Sequence, residues 1–166
     1  MANKNPKPIL SRGIPSKESL FLPKHDGKII NSKGGLNENI IWDVEDVIDF
    51  IFPKIYQPRY HEISVKFVEF LLKEGKLNSE KISKFLKDNN FSKATLENII
   101  IPKLVNFGLI KREREQTMKG KGRKLILSDS LVFSHYLERI SKAWSMIVLT
   151  ARQKRKVNEE KEKYEI

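Results

Sequence analysis

The sequence predicts a mainly α-helical fold with a small β-wing, extended by a long C-terminal helix. Three observations predict it. Apolar residues recur at helical spacing in several segments bounded by capping residues, glycine or proline. Two short strand-like runs flank a basic loop that contains Gly120 and Gly122. From Phe133 to Ala151 apolar residues alternate by four and three, the pattern of helices that pack along their length.

The totals narrow the class of function. The chain has 166 residues, 32% of them charged, and a formal net charge of +11. Such an excess points to a polyanionic partner, a nucleic acid or an anionic surface. With no cysteine, a disulfide framework, a thiolate zinc site and a thiol nucleophile are all excluded. No apolar run approaches the roughly 18 residues that a bilayer-spanning helix needs, so no membrane partner is expected and the location expected is cytoplasmic. His25, His61 and His135 are isolated in sequence, and neither a Gly-x-Ser-x-Gly elbow nor a dinucleotide fingerprint occurs. The expectation is a binding protein rather than an enzyme, with no cofactor and no metal.

Residues 1–39 read as a basic arm rich in Lys, Pro, Gly and Ser. Asp26-Gly27 between the apolar runs Leu20–Leu22 and Ile29–Ile30 signals a hairpin, although Pro23 removes one ladder donor. Two roles stand open for the arm: lying along a nucleic acid, or packing on its own domain or a partner subunit. Residues 40–58 read as an amphipathic packing helix. Asp43 caps it, Glu45, Asp46 and Asp49 load its start with negative charge, and Val44, Val47, Ile48 and Ile51 share a face, with Pro53 and Pro58 ending it. No histidine accompanies these four carboxylates in sequence, so a solvated helix face explains them better than a metal site.

Residues 59–128 form the central domain. Its first helix, Arg59 to Glu74, carries an Ile63, Phe67, Phe70, Leu71 stripe and stops at Gly75, and Lys76-Leu77 reads as a short strand. Asn78 or Ser79 caps a second helix with Ile82, Phe85 and Leu86 inward, broken at Asp88-Asn89-Asn90. Phe91 precedes the cap Ser92 and suits a hydrophobic staple. A third helix, Lys93 to Phe107, follows with Leu96, Ile100, Leu104 and Phe107 on its buried side. Pro102 interrupts it, predicting a kink or a one-residue bulge about halfway along. Strands at Leu109–Glu115 and Lys124–Ser128 then enclose the loop, and seven basic residues face two acidic ones between Lys111 and Lys124.

Ser92-Lys93-Ala94-Thr95-Leu96, followed by Leu104-Val105-Asn106-Phe107-Gly108-Leu109-Ile110, resembles the S-x-x-T-[VL] … L-x-x-x-G-L-[IV] run of winged helix-turn-helix regulators of bacteria and archaea. The MarR-like, ArsR-like and PadR-like groups share this run. The interval from Thr95 to Leu104 is one residue longer than the usual pattern, and Pro102 lies inside it. The resemblance implies a winged helix-turn-helix domain that binds double-stranded DNA, as in transcription regulation. The 93–107 helix would enter the major groove with Ser92, Lys93, Ala94, Thr95, Glu97 and Asn98 at the DNA, while Arg112, Arg114, Lys119, Lys121, Arg123 and Lys124 of the wing meet the backbone. It specifies no effector ligand.

Residues 129–166 form the last helix, capped by Ser128 or Asp129. Phe133, Leu137, Ile140, Trp144, Ile147 and Ala151 make a heptad seam that fits a second copy better than the core of a small monomer. Val132, Tyr136, Ala143 and Val148 flank it, on the side expected to meet the central domain. The expected whole is a homodimer on duplex DNA. The alternative is an interaction module within a replication, plasmid-partition or transcription assembly, with the basic face incidental.

Overall fold

The structure, a computed structural model, describes residue 20, residues 41–114 and residues 125–164. The arm hairpin and the loop between the two long strands lie outside these residues. Those described fall into two units, with the break between Asp129 and Ser130.

The first unit begins with a short helix α1, Val44–Asp49. Asp43 closes a capping box: its side chain accepts the Asp46 N–H at 3.0 Å, and the Asp46 carboxylate accepts the Asp43 N–H at 3.2 Å. Replacing Asp43 with alanine removes one half of this box and is expected to lower unfolding stability by ~1 kcal/mol, measurable by urea denaturation. The helix is shorter than the run from the Asp43 cap to the Pro53 stop that the periodicity of Val44, Val47, Ile48 and Ile51 suggested. The chain leaves it at Phe50, the Lys54 N–H turns back to the Asp49 carboxylate at 2.7 Å, and Ile51, Phe52 and Pro53 are buried in the turn. Apolar residues therefore continue past the helix end because the turn itself belongs to the core.

Helix α2, Pro58–Glu74, starts with proline in its first turn, where a missing N–H costs nothing. Gly75 ends it at φ 70°, a left-handed conformation natural to glycine. Strand β1, Lys76–Leu77, is followed by α3, Ser79–Asn89, which is capped by the Asn78 side chain on the Lys81 N–H. Asn90, at φ 53°, makes the left-handed exit that the asparagine pair predicted.

The third helical stretch is composite. It runs as α4, Lys93–Thr95, a π turn, Leu96–Ile100, and α5, Ile101–Asn106. The one-residue bulge expected at Pro102 is this π turn, in which the Ile101 N–H reaches back to the Leu96 carbonyl. Pro102 consequently sits in the first turn of α5, where its missing N–H breaks no bond. Leu96, Ile100, Ile101 and Leu104 are buried, whereas Phe107 is only half-buried.

Strands β2, Ile110–Arg114, and β3, Leu125–Asp129, complete a three-stranded antiparallel sheet in the order β1-β3-β2. The central strand pairs Leu127 with Leu77 on one side and with Arg112 on the other. The core joins Ile48 and Phe52 from the start of the unit, Ile63, Phe67 and Leu71 of α2, Phe85 of α3, Leu96 and Leu104 of the composite helix, and Leu77, Ile110 and Leu127 of the sheet. Phe85 is its aromatic hinge, with rings of Phe67, Phe70 and Phe91 at 5.5, 5.3 and 5.8 Å.

The second unit is one helix, α6, Val132–Tyr164, of 33 residues. Neither Ser128 nor Asp129 caps it, because both belong to β3. The Ser130 hydroxyl takes the Val132 N–H instead, at 3.3 Å. Among the described residues no helix is long and apolar enough to cross a membrane.

Candidate nucleic-acid interface

The front of the composite helix is built by its cap. Ser92 leaves the helix axis in an extended conformation and its hydroxyl accepts the Thr95 N–H at 3.4 Å. Phe91, just before it, is buried, as is Leu96, the residue that a hydrophobic staple would join to it. With those two anchored inward, Ser92, Lys93, Ala94, Glu97 and Asn98 are all exposed, and Thr95 is half-buried. The π turn adds one residue to the solvent side of this stretch. Lys93 and Glu97 are 3.8 Å apart, an exposed i,i+4 pair that a polyanion would disrupt easily.

Two further cations stand beside this front and were not singled out by the sequence. Arg59 and Lys66 of α2 lie over the Phe91 ring at 5.0 and 5.4 Å from its centroid. Both also pair with Glu62, at 2.9 and 3.2 Å, and their hydrogen bonds hold its carboxyl below the usual range. Their i, i+7 spacing on α2 put them on one face, but only the contact with Phe91 connects them to Ser92.

On the sheet, Arg112 and Arg114 are exposed and have no ion-pair partner among the described residues. Strand pleating places them on one face and Lys111 and Glu113 on the other. On that second face the Glu113 carboxylate holds Lys111 at 2.7 Å and Lys76 at 3.7 Å. Lys111, by hydrogen bond and charge, keeps the Glu113 carboxyl below its ordinary range. Glu113 therefore stays ionised through neutral pH and releases the lysines only as pH falls through that lowered value. Replacing Glu113 with glutamine frees them at all pH values. It is expected to raise affinity for any duplex by less than the roughly five-fold worth of one phosphate contact near 0.15 M salt, since the freed lysines lie on the face opposite Arg112 and Arg114, measurable by fluorescence anisotropy. Lys119, Lys121, Arg123 and Lys124 lie outside the described residues.

A separate cluster forms where α1 meets α2. Sequence left the carboxylates of α1 without a histidine, but packing brings one. His61 is only 3% exposed; its Nδ1 is 2.8 Å from the Phe52 carbonyl and its Nε2 is 3.6 Å from Glu45. With Nδ1–H donating to the carbonyl, Nε2 has no hydrogen-bond partner. Lys54 already places its ammonium 2.6 Å from Glu45. Among the described residues no group of three or more His, Cys, Asp or Glu side chains is arranged to hold a metal ion. A buried lysine was also missed. Lys103 is 4% exposed, its Nζ is 4.9 Å from the Phe52 ring centroid, and burial pushes its pKa down.

The seam residues of α6 occupy one stripe. Leu137, Ile140, Trp144 and Ile147 are 38, 50, 66 and 60% exposed, Ala151 is exposed, and Phe133 is half-buried. Contiguous apolar exposure of this extent is uncommon on the surface of a monomer.

Set against known proteins, the chain matches no family model, no curated protein and no solved structure.

Proposed function

We propose that this protein is a sequence-specific double-stranded DNA-binding protein that works as a homodimer, with transcription regulation as its role. The first unit acts as a winged helix-turn-helix: α3 and the composite helix form the two-helix element, and β2 and β3 flank the wing. Lys93, Ala94, Glu97 and Asn98 read base edges in the major groove. Ser92, Arg112, Arg114 and the loop cations Lys119, Lys121, Arg123 and Lys124 hold phosphates. The observation that carries the reading is the exposed helix front, Ser92 to Asn98, whose apolar anchors Phe91 and Leu96 are fully committed to the core. Lys93, Glu97 and Asn98 carry groups that suit hydrogen bonding to bases and phosphates, and the Ala94 methyl suits apolar contact with a thymine methyl.

The protein is proposed to act without a catalytic step or cofactor. Selection from random duplex DNA at physiological salt tests the reading. An enriched palindrome is the expected result, and binding that is indifferent to both sequence and salt overturns it.

A further inference from the structure

The homodimer reading leaves open how two α6 helices meet, and the side chains of α6 answer it. In the heptad seam Phe133, Ile140 and Ile147 occupy one core position, and Leu137, Trp144 and Ala151 the other. Positions beside the core are filled by Ser134, Tyr136, Ser141, Ala143, Val148 and Thr150. Between 133 and 151 the Asp, Glu, Lys and Arg residues are Glu138, Arg139 and Lys142, all on the opposite side of the helix, where Glu138 and Lys142 pair with each other. The flanking charges that fix partner orientation in many two-helix assemblies are absent from this stretch. Orientation is left to side-chain volume and to what lies beyond the seam.

We infer that two copies of α6 pair antiparallel, about a point midway between Ile140 and Trp144. This register sets Phe133 against Ala151 of the other copy, Leu137 against Ile147, and Ile140 against Trp144. Each layer then joins a larger with a smaller or similar side chain. A parallel, in-register pair would instead stack phenylalanine on phenylalanine and tryptophan on tryptophan, and face alanine with alanine at Ala151. Close-packed interiors tolerate neither overfilled nor empty layers well.

Charge favours the same arrangement. The next seam position is Lys154, surrounded by Arg152, Arg155 and Lys156. Parallel pairing brings both basic clusters together, with Lys154 facing Lys154. Antiparallel pairing separates the two Lys154 residues by ~36 Å along the axis at 1.5 Å per residue, well beyond the ~8 Å screening length of physiological salt. It also sets the two helix starts at Val132 ~30 Å apart along the axis, whereas parallel chains would hold them at a helix-packing distance of ~8–10 Å.

The absence of native cysteine makes the test clean. Gln153 is exposed and off the seam, so Gln153→Cys gives a single spin-labelling site on the full chain. Pulsed electron paramagnetic resonance on the labelled protein is expected to give a distance of ~35 Å. Sedimentation of the same sample should give twice the chain mass, and it should retain duplex DNA. A distance of ~25 Å or less, the separation of two outward-facing labels on parallel helices packed ~8–10 Å apart, at dimer mass overturns the antiparallel register and leaves the homodimer standing. A monomer mass overturns the pairing and the homodimer reading together. Loss of duplex retention with the ~35 Å distance intact overturns the DNA-binding reading alone.

Discussion

Replacing Lys119, Lys121 and Arg123 together with alanine is expected to weaken binding to every duplex roughly 100-fold near 0.15 M salt. The magnitude follows from counterion release. Each cation on a phosphate adds about 0.9 to the slope of log affinity against log salt, a factor of ~5 at that concentration. Three such contacts multiply to roughly 100-fold and remove ~2.7 from the slope. The loss should be the same for the selected sequence and for unrelated duplexes, because phosphates carry no base identity. Titrations at several salt concentrations check it. An unchanged slope would take these three residues off the DNA backbone, and a loss confined to one sequence would make them readers rather than grips.

Local chemistry was the most legible part of the fold. Asp43, Asn78 and Ser92 act as caps because their side-chain oxygens sit where the first N–H groups of a helix lack partners. Gly75 and Asn90 take the left-handed exits for which their backbones are suited. Even the two-residue strand Lys76–Leu77 followed from a stop signal and a cap on either side of it. Less legible was everything decided by contacts distant in sequence. The short α1 ends where it does because Ile51, Phe52 and Pro53 are wanted in the core, and an apolar periodicity cannot distinguish a helix from a buried turn. His61 joins Glu45 and Asp49 only through the packing of α2 on α1. Lys103 lies buried beside Phe52, although its type argues for the surface. In the candidate interface the exposed front was visible in advance, since Leu96 fixes which way its neighbours point. Arg59 and Lys66 were not, since their link to the front passes through the Phe91 ring.

The π turn gives the second large prediction, because its cause can be read from four residues. Leu96, Ile100, Ile101 and Leu104 are buried, at spacings i, i+4, i+5 and i+8. The buried stripe of a continuous α-helix takes i, i+3, i+4, i+7 and i+8, which accommodates Leu96, Ile100 and Leu104 but leaves Ile101 off the buried face. The chain has one residue too many, and the π turn places it on the exposed side, at Glu97 and Asn98. Deleting Asn98 restores the α spacing of all four anchors. It also returns Pro102 to a helix interior, where the clash costs ~3 kcal/mol, so the deletion is made together with Pro102→Ala. Pro102→Ala alone keeps the spacing, and it is expected to keep both the π turn and the sequence preference. The double change should give a straight helix with an undiminished urea midpoint, since the α ladder replaces a poorer π geometry. Its nonspecific affinity and salt slope should match those of the native chain, because the phosphate contacts are untouched. Sequence preference should fall by ~10³-fold or more, toward the nonspecific level, because the exposed face that π geometry widened is gone. An unfolded double variant would refute the spacing argument. A folded one that selects the same duplex as the native protein would show that the front of this helix does not read bases, leaving recognition to the strands and the loop between them.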